Sequence, residues 1–283
     1  MPERPELDHQ LTILRAEVLQ REISDVQVLD PVLLRMMVEG DVLVLLQGRC
    51  FASVDRRAHF LIFGLEGGSP PLELLVNPML AGRFTLADKG ARVTKDTGFL
   101  VEFTDGVQLR YRDRKQMGKV YLAAAADRAR VPGLAEVGVD VLSAEFTFEV
   151  FAALAKKRRD QVKVFLLDKS ALDALGNAYA DETLFAAGIH PKARVRELDE
   201  DGLKRLHRAI VDVLEEASAI VRDRDTALDE KVRDFLKVRN RKGEPCPQCG
   251  APIRVAGVHG HDAFFCAVCQ PDHKGRGFVS WRK

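Results

Sequence analysis

The chain has 283 residues, of which 46% are hydrophobic, and its 43 Lys and Arg residues balance 42 Asp and Glu residues to a formal net charge of +1. No run of about 18 apolar residues is present, which excludes a membrane-spanning helix, and the amino terminus lacks the basic-then-apolar pattern of a secretory signal. We therefore expect a cytoplasmic protein with one large core or two smaller ones. The small net charge argues against a uniformly basic nucleic-acid binder, although it hides local asymmetry.

The first predicted element is a helix that begins within a few residues of Met1. Its apolar positions follow helical spacing: Leu7, Leu11, Leu14 and Val18. Removal of Met1 ahead of the small residue Pro2 would leave a secondary amine, and an α-amino group with a pKa of about 8 is partly neutral and nucleophilic at physiological pH. Glu3 would serve as an acid if a pocket raised its pKa. From these residues alone, an ordinary first helical turn is the better explanation.

Residues 26–122 read as short strands separated by Gly, Pro and Asp, with no helical periodicity between them. Serial strands of this kind predict an antiparallel sandwich or barrel. Cys50 stands alone in an apolar stretch and is interpreted as a buried core thiol.

Helical patterns dominate after a Pro-Gly break at residues 132–133. An apolar stripe at i, i+3 and i+4 spacing runs through residues 198–221, and an earlier helix is predicted from Phe146. Between them, Gly176 and Asn177 mark a break between two short helices. Amide side chains and free backbone N–H groups at such a turn bind phosphate oxygens well.

The carboxy-terminal segment carries two C-x-x-C pairs separated by sixteen residues: Cys246, Cys249, Cys266 and Cys269. This spacing predicts a zinc site, each pair supplying half of a tetrahedron, whereas disulfides would need an oxidising compartment. Four thiolates leave no open coordination position, so one structural Zn²⁺ is expected. From Val232 onward ten basic residues face four acidic ones.

Together these parts resemble the Fpg/Nei family of formamidopyrimidine-DNA glycosylases and endonuclease VIII-like enzymes. The resemblance rests on the terminal Pro-Glu, the β-rich region, the stretch LLDKSALDALGNAYADETLFAAGIHP and the CPQC…CAVC hairpin, in the family's order. It implies an α+β multidomain fold. The expected parts are a catalytic domain with an amino-terminal helix and an antiparallel β-sandwich (1–130), a linker (131–145), a helix–two-turn–helix DNA-binding domain (146–235) and a zinc-finger β-hairpin (236–283).

The resemblance also implies the chemistry. In the family, the amino-terminal proline attacks C1′ of a damaged nucleotide flipped out of the duplex, displaces the base and forms a Schiff base that undergoes β-elimination, while the glutamate assists protonation at the sugar. These roles fall on Pro2 and Glu3. Asn177 matches the asparagine that holds a phosphate at the lesion, and Lys163 matches a lysine near the same site.

Two histidines depart from the family pattern. His59 stands where the family has a phosphate-contacting lysine implicated in catalysis, and His261 stands at the position of the zinc-finger arginine. A neutral histidine weakens the fixed positive charge at the DNA backbone, although either ring is able to shuttle a proton. The alternative, that both are tolerated polar replacements, stays open.

The residues that fill the gap left by the flipped nucleotide differ as well. NPMLAG aligns Leu80 with the family's inserted methionine, with Met79 one position away, and DRKQMG places Lys115 and Met117 where arginine and phenylalanine normally enter. Apolar side chains still wedge a base step. The stretch between Ile220 and Phe235 is short, whereas relatives specific for 8-oxoguanine carry a longer Gly-rich capping loop there, which argues against strict 8-oxoguanine specificity.

The function predicted from the sequence is a DNA glycosylase with abasic-site lyase activity in base excision repair. Its expected partner is double-stranded DNA that contains a damaged base or an abasic site. We expect a monomer without membrane association, in the nucleoid if the source is bacterial. Two alternatives stay open: a non-catalytic damage-binding paralogue, and a glycosylase for an atypical bulky or crosslinked lesion.

Overall fold

The computed structural model describes residues 2–173 and 175–272. Met1 and the end of the predicted zinc module, residues 273–283, lie outside the described residues, and so do four residues of the basic segment, Lys274, Arg276, Arg282 and Lys283. The chain divides into two compact units. The first contains residues 1–136 and 218–232, and the second contains residues 137–217 and 233–283.

The first unit begins with helix α1 (Arg4–Val18). Glu3, in extended conformation, caps the helix, and its backbone N–H donates to a carboxylate oxygen of Glu6 at 2.7 Å. This contact satisfies one of the amide groups that have no partner within the first turn. Leu7, Leu14 and Val18 are completely buried in the core of this unit. The predicted helix and its apolar face are therefore confirmed.

Two sheets follow α1. Their strands are β1 (Ile23–Val28), β2 (Leu34–Met36), β3 (Cys50–Arg57), β4 (Phe60–Glu66), β5 (Leu72–Asn77), β6 (Gly82–Asp88), β7 (Thr97–Phe103), β8 (Val107–Asp113) and β9 (Lys119–Ala124), with helix α2 (Val42–Leu46) after β2. One sheet has the order β1-β7-β8-β6 and the other the order β2-β9-β5-β4-β3. The rings of Phe51, Phe63, Phe84, Phe103 and Tyr111 fill the shared core.

Strand β2 is an exception within this sandwich. It pairs in parallel with β9, Leu34 opposite Val120, whereas the other paired strands of these two sheets run antiparallel. The α+β class and the sandwich predicted from the alternating pattern are correct. The parallel pair was not predicted, because a three-residue strand carries no periodic signal.

The second unit is helical, with a terminal hairpin. Its helices are α3 (Phe148–Lys156), α4 (Val162–Leu167), α5 (Asn177–Ala186) and α6 (Glu200–Asp223), the last up to residue 217. Its strands are β10 (Val139–Asp140), β11 (Leu172–Asp173), β12 (Ile253–Val258) and β13 (His261–Cys266). Short 3₁₀ helices lie at Ala125–Arg130 in the first unit and at Val195–Glu197 in the second. Strands β12 and β13 form an antiparallel hairpin, as predicted.

The unit boundaries differ from the predicted domain boundaries. Residues 218–232, which include the last six residues of α6 (218–223), group with the first unit, and the zinc hairpin groups with the helices of the second. Part of the expected linker is ordered structure, since Val139 and Asp140 pair with Leu172 and Asp173. Long-range pairing of this kind is not encoded in local composition.

Within residues 2–173 and 175–272, the helices are all too short or too polar to span a bilayer.

Candidate functional site

The amino-terminal pair is sheltered from water. Pro2 is buried, and Glu3 retains only 3% of its accessible surface. The next residues of α1 hold a distant part of the same unit: the His9 Nε2–H donates to the Thr226 carbonyl at 2.9 Å, and the Gln10 amide donates to the Leu228 carbonyl at 3.0 Å. The short segment that follows α6 is therefore fixed to the first helix by hydrogen bonds from side chains of α1 to its backbone carbonyl oxygens.

His59 lies in the turn between β3 and β4, next to Ala58, whose φ is 52°. The imidazole is buried, with 1% of its surface exposed. In this conformation the ring is therefore covered by protein atoms instead of being presented to solvent. The predicted catalytic role of His59 stays a prediction.

Two loops of the first unit expose apolar side chains. Leu80, between β5 and β6, is 45% exposed, and Met117, between β8 and β9, is 41% exposed. Met79 is half-buried and Lys115 is exposed. An exposed apolar tip suits insertion into a base stack, so this geometry favours Leu80 over Met79 as the inserted residue.

Buried polar groups shape both loops. The Asp113 carboxylate accepts the N–H groups of Lys115, Met117 and Gly118 at 3.0, 2.9 and 2.6 Å. Gly118 is required, because a Cβ there would lie 2.1 Å from the Tyr111 hydroxyl oxygen. In the other loop, Met79 donates its N–H to the Asn77 side chain at 3.1 Å while holding a φ of 46°.

The second unit presents Asn177 at the first turn of α5, after the N-cap residue Gly176. Its side-chain amide donates to a carboxylate oxygen of Asp262, on β13, at 2.9 Å. Because a carboxylate only accepts, this contact fixes the orientation of the amide. The predicted location of Asn177, at a break between two helices, is correct.

Lys163 lies deeper than expected. Its ammonium is fully buried and lies 2.6 Å from Asp181 and 2.5 Å from the Asp262 carbonyl oxygen. Burial lowers the pKa of Lys163 and raises that of Asp181, and the opposite charge of each partner counteracts both effects. In this conformation the ammonium is directed at these two partners. The predicted contact of Lys163 with a phosphate stays a prediction.

Arg239 completes the cluster. One guanidinium nitrogen lies 2.9 Å from Asp181 and another 3.2 Å from the Asp262 carboxylate, and the guanidinium stacks 4.8 Å above the Phe264 ring. His261, the neighbour of Asp262, is exposed at the start of β13. The hairpin turn at His259 and Gly260 presents it, with φ of 45° and 81° at the two positions.

Glu182 fixes the chain that leads to the hairpin. Its buried carboxylate accepts the backbone N–H groups of Lys237, Val238 and Arg239 at 2.7, 3.0 and 2.9 Å. Burial raises the pKa of Glu182, and these three donors oppose the rise. Helix α5 therefore positions Asn177 directly and Arg239 through Glu182.

The four predicted metal ligands converge. The sulfur atoms of Cys246, Cys249, Cys266 and Cys269 all lie within 4.8 Å of one another, with Cys246–Cys269 at 3.8 Å and Cys249–Cys266 at 3.4 Å. A tetrahedral Zn²⁺ with bonds of about 2.3 Å places its ligands about 3.8 Å apart, so the residues fit one zinc ion.

The fifth cysteine, Cys50, is only partly buried, and its thiol lies 3.3 Å from a carboxylate oxygen of Glu66. The interpretation of Cys50 as a buried core thiol is therefore wrong.

Sequence reasoning missed Asp181, Arg239 and Asp262. They lie 23 to 81 positions apart in the sequence, and a single charged residue in a polar stretch carries no local signal. One signal was available in the sequence. Asp262 is one of only four acidic residues in the basic segment from Val232 onward, and it is adjacent to His261.

Three family models match successive parts of the chain. They are the formamidopyrimidine-DNA glycosylase N-terminal domain over residues 1–120, the helix–two-turn–helix (H2TH) domain of the same enzymes over residues 137–228, and a zinc finger found in FPG and IleRS over residues 243–271.

Relatives and solved structures match almost the whole chain. Formamidopyrimidine-DNA glycosylases of Symbiobacterium thermophilum and Exiguobacterium sibiricum are each 33% identical, over 97% and 95% of this chain and 91% and 99% of their own. The MutM (Fpg) protein of Thermus thermophilus superposes with a TM-score of 0.82 at 32% identity, over 95% of this chain and 98% of its own. Lactococcus lactis Fpg in complex with abasic-site DNA superposes with a TM-score of 0.86 at 26% identity, over 96% and 100%. The chain belongs to the formamidopyrimidine-DNA glycosylase family.

Proposed function

We propose that this protein is a bifunctional DNA glycosylase and abasic-site lyase of base excision repair, with Pro2 as the nucleophile. The observation that carries the proposal is the buried Pro2-Glu3 pair at the start of α1 in a chain that matches this family along its length. Removal of Met1 is a requirement, because a residue before Pro2 would acylate the reacting nitrogen.

The reaction uses the nitrogen of Pro2 in two stages. In the first, the nitrogen bonds to C1′ of the flipped nucleotide as the bond from C1′ to the base breaks, and the proton that the nitrogen loses goes to the departing base. The nitrogen lone pair then breaks the bond from C1′ to the ring oxygen, which opens the sugar and leaves a Schiff base. Glu3 supplies the proton at the sugar. In the second, a C2′ proton passes to water, its electron pair moves toward the cationic iminium, and the bond from C3′ to the phosphate oxygen breaks, so that the phosphate leaves with that bond's electron pair. Hydrolysis of the unsaturated Schiff base then frees the nitrogen of Pro2.

Phosphate binding is assigned to the second unit. The Asn177 amide and the start of α5 provide neutral donors, and zinc, when bound, holds the β12–β13 hairpin that carries His261. A histidine in place of arginine weakens catalysis of a second elimination, so the product is expected to stop at the β-eliminated end. A dominant doubly eliminated product would contradict this assignment of His261.

A bulky or crosslinked lesion is the second candidate substrate. The observation that favours it is the short segment after α6, which His9 and Gln10 hold against α1 through the Thr226 and Leu228 carbonyls. A segment fixed in this way provides no long loop to close over a base. A panel of duplexes with 8-oxoguanine, formamidopyrimidine, oxidised pyrimidine and crosslinked lesions tests it, and strict preference for 8-oxoguanine opposite cytosine would exclude it.

Borohydride trapping on an abasic-site duplex tests the mechanism and separates it from the non-catalytic alternative. The wild type and the Pro5→Ala control, which changes the other proline of the first turn, should form a covalent adduct, and Pro2→Gly should lose most of it. Mass spectrometry of the trapped peptide should place the DNA on Pro2. Absence of an adduct, or an adduct on a lysine, would overturn the proposal.

The remaining assignments follow from this function. Duplex DNA with a damaged base or an abasic site is the proposed partner, and we propose a monomer that acts in the cytoplasm, at the nucleoid in a bacterium. A monomer should elute in gel filtration at an apparent mass close to the 31.5 kDa of one chain.

A further inference from the structure

One carboxylate oxygen of Asp262 accepts from two residues at once. The Asn177 amide donates to it at 2.9 Å, and the Arg239 guanidinium lies 3.2 Å away. An amide and a guanidinium converging on a single anionic oxygen form the kind of donor set that binds a phosphate oxygen. Asp262 is 51% exposed, so this position is open to solvent and to an incoming ligand.

The cluster is electrically balanced with Asp262 in place. Lys163 and Arg239 contribute two positive charges, and Asp181 and Asp262 contribute two negative ones. A DNA phosphodiester also carries one negative charge, so it replaces Asp262 without changing the balance. If both anions stayed, the site would hold an excess negative charge, which like-charge repulsion disfavours.

The main chain of Asp262 is held independently of its side chain. Its carbonyl oxygen accepts from Lys163 at 2.5 Å and from Arg239 at 3.2 Å. The carboxylate is therefore able to leave Asn177 and Arg239 by rotation of the side chain alone, while β13 stays fixed.

We propose that Asp262 is an internal phosphate surrogate. In the free protein its carboxylate occupies the anion position on Asn177 and Arg239, and a backbone phosphate of the bound DNA displaces it. The contact is autoinhibitory, because DNA reaches these two donors only by displacing a carboxylate that is part of the same chain. DNA that makes only weak contacts with the rest of the protein is therefore bound poorly.

Near neutral pH, Asp262 does not release Asn177 and Arg239 by becoming protonated. Burial acts to raise the pKa of Asp262, but the Arg239 charge and the hydrogen bonds from Asn177 and Arg239 lower it below its usual value. The other charged groups that face it, Lys163 and Asp181, form their own pair. Asp262 therefore stays ionised where the enzyme works, and competition is resolved by displacement.

Binding of a duplex that contains a tetrahydrofuran abasic analogue tests the proposal by fluorescence anisotropy. If the donors are free in about a tenth to a third of the molecules, Asp262→Asn and Asp262→Ala should bind about 3- to 10-fold more tightly than wild type. The matched control is Glu244→Gln, which removes one negative charge from the same module, at an exposed ion pair with Arg241. Its affinity should change by less than about 2-fold.

A double-variant cycle shows whether the gain depends on the proposed donors. In an Asn177→Ala, Arg239→Ala background, Asp262→Asn should give no further tightening. The inference is overturned if Asp262→Asn binds no more tightly than Glu244→Gln, or if its gain persists in that background. It rests on the proposed phosphate-binding role of Asn177, and that role fails separately if Asn177→Ala alone leaves the affinity unchanged.

A measurement on the unmodified protein covers the case in which a variant loses its hairpin, as judged from zinc content and thermal unfolding. The side-chain amide resonances of Asn177 and the Arg239 Nε–H resonance should shift when the tetrahydrofuran duplex is added and Asp262 leaves them. Unchanged resonances at saturating duplex would refute displacement.

Discussion

The Lys163 ammonium and the Asp181 carboxylate form an ion pair of 2.6 Å in which both side chains are completely shielded from solvent. Arg239 and the Phe264 backbone N–H also contact Asp181, at 2.9 and 3.1 Å. A buried charge of this kind is tolerated only while its partners are present. The pair therefore joins α4, α5 and β13 by an interaction that fails if either member is removed.

Lys163→Met should destabilise the second unit by about 3 kcal/mol, because it leaves the Asp181 charge buried with one partner fewer. Urea unfolding measures the loss, and Lys163→Met/Asp181→Asn should recover part of it. The control Lys204→Met breaks an exposed pair with Glu200 and should cost less than about 1 kcal/mol. Equal losses in the two lysine variants would show that the buried pair has no special role.

Glu3→Gln should separate the two stages of the reaction. Without its acid, base removal should slow by about 10² to 10⁴-fold, whereas Pro2 should still form a trapped adduct on a duplex in which the abasic site already exists. Single-turnover excision on a damaged duplex, in parallel with trapping, measures both. Glu17→Gln, which changes a carboxylate of the same helix whose side chain is 44% exposed, should leave excision within about 3-fold of wild type.

Leu80→Ala and Met117→Ala should weaken binding of lesion DNA without affecting stability. Both side chains are largely exposed, so truncation should change the free energy of unfolding by less than about 0.5 kcal/mol. If they wedge a base step, each should lower the affinity for a tetrahydrofuran duplex by about 10-fold. Val44→Ala removes an apolar side chain that is 76% exposed on α2, and it should change neither quantity.

Zinc removal should unfold the hairpin selectively. A chelator should abolish hydrogen-exchange protection across Ile253–Cys266 and lower DNA affinity by more than about 10-fold, because the metal supplies the folding free energy of such a module. Cys249→Ser should reproduce the effect. Cys50→Ser, at the remaining cysteine, should retain one zinc per chain, and loss of zinc from it would contradict the assignment of the ligands.

Asp168 should make the free energy of unfolding of the second unit depend on pH in the acidic range. Burial acts to raise the pKa of this carboxyl, but hydrogen bonds from Ser170 and the Arg158 guanidinium lower it below its usual value. Its contribution to stability is therefore present above the unfolded pKa of about 3.9 and is lost as pH falls through the lower folded value.

Asp168→Asn should accordingly destabilise the protein by about 1 kcal/mol at pH 7 and by less at pH 3. Urea unfolding at the two pH values measures the difference. Asp212→Asn, at an exposed pair with Arg208, should show no such dependence. A loss for Asp168→Asn that is the same at both pH values would exclude the ionised carboxylate as its cause.

Sequence patterns predicted the parts of this protein whose structure is determined by residues that are close together in the chain. The stripe from Leu7 to Val18 gave α1, and the cysteine spacing gave the metal cluster, because helical period and ligand spacing are written in neighbouring residues. The anion cluster could not be found this way, since Asn177 and Asp262 meet only through the tertiary fold. The burial of His59 and Lys163 was hidden for the same reason: a side chain's direction depends on what packs against it.

The three hydrogen bonds that Glu182 accepts have a consequence for the order of folding. They join α5 to residues 237–239, contacts 55 to 57 positions apart in the sequence, so closing this loop is a non-local step. During synthesis, α5 leaves the ribosome well before Arg239 and the cysteines do. The helix with Asn177 is thus able to form early, whereas the anion position is completed only when the last segment of the chain has docked and acquired its metal.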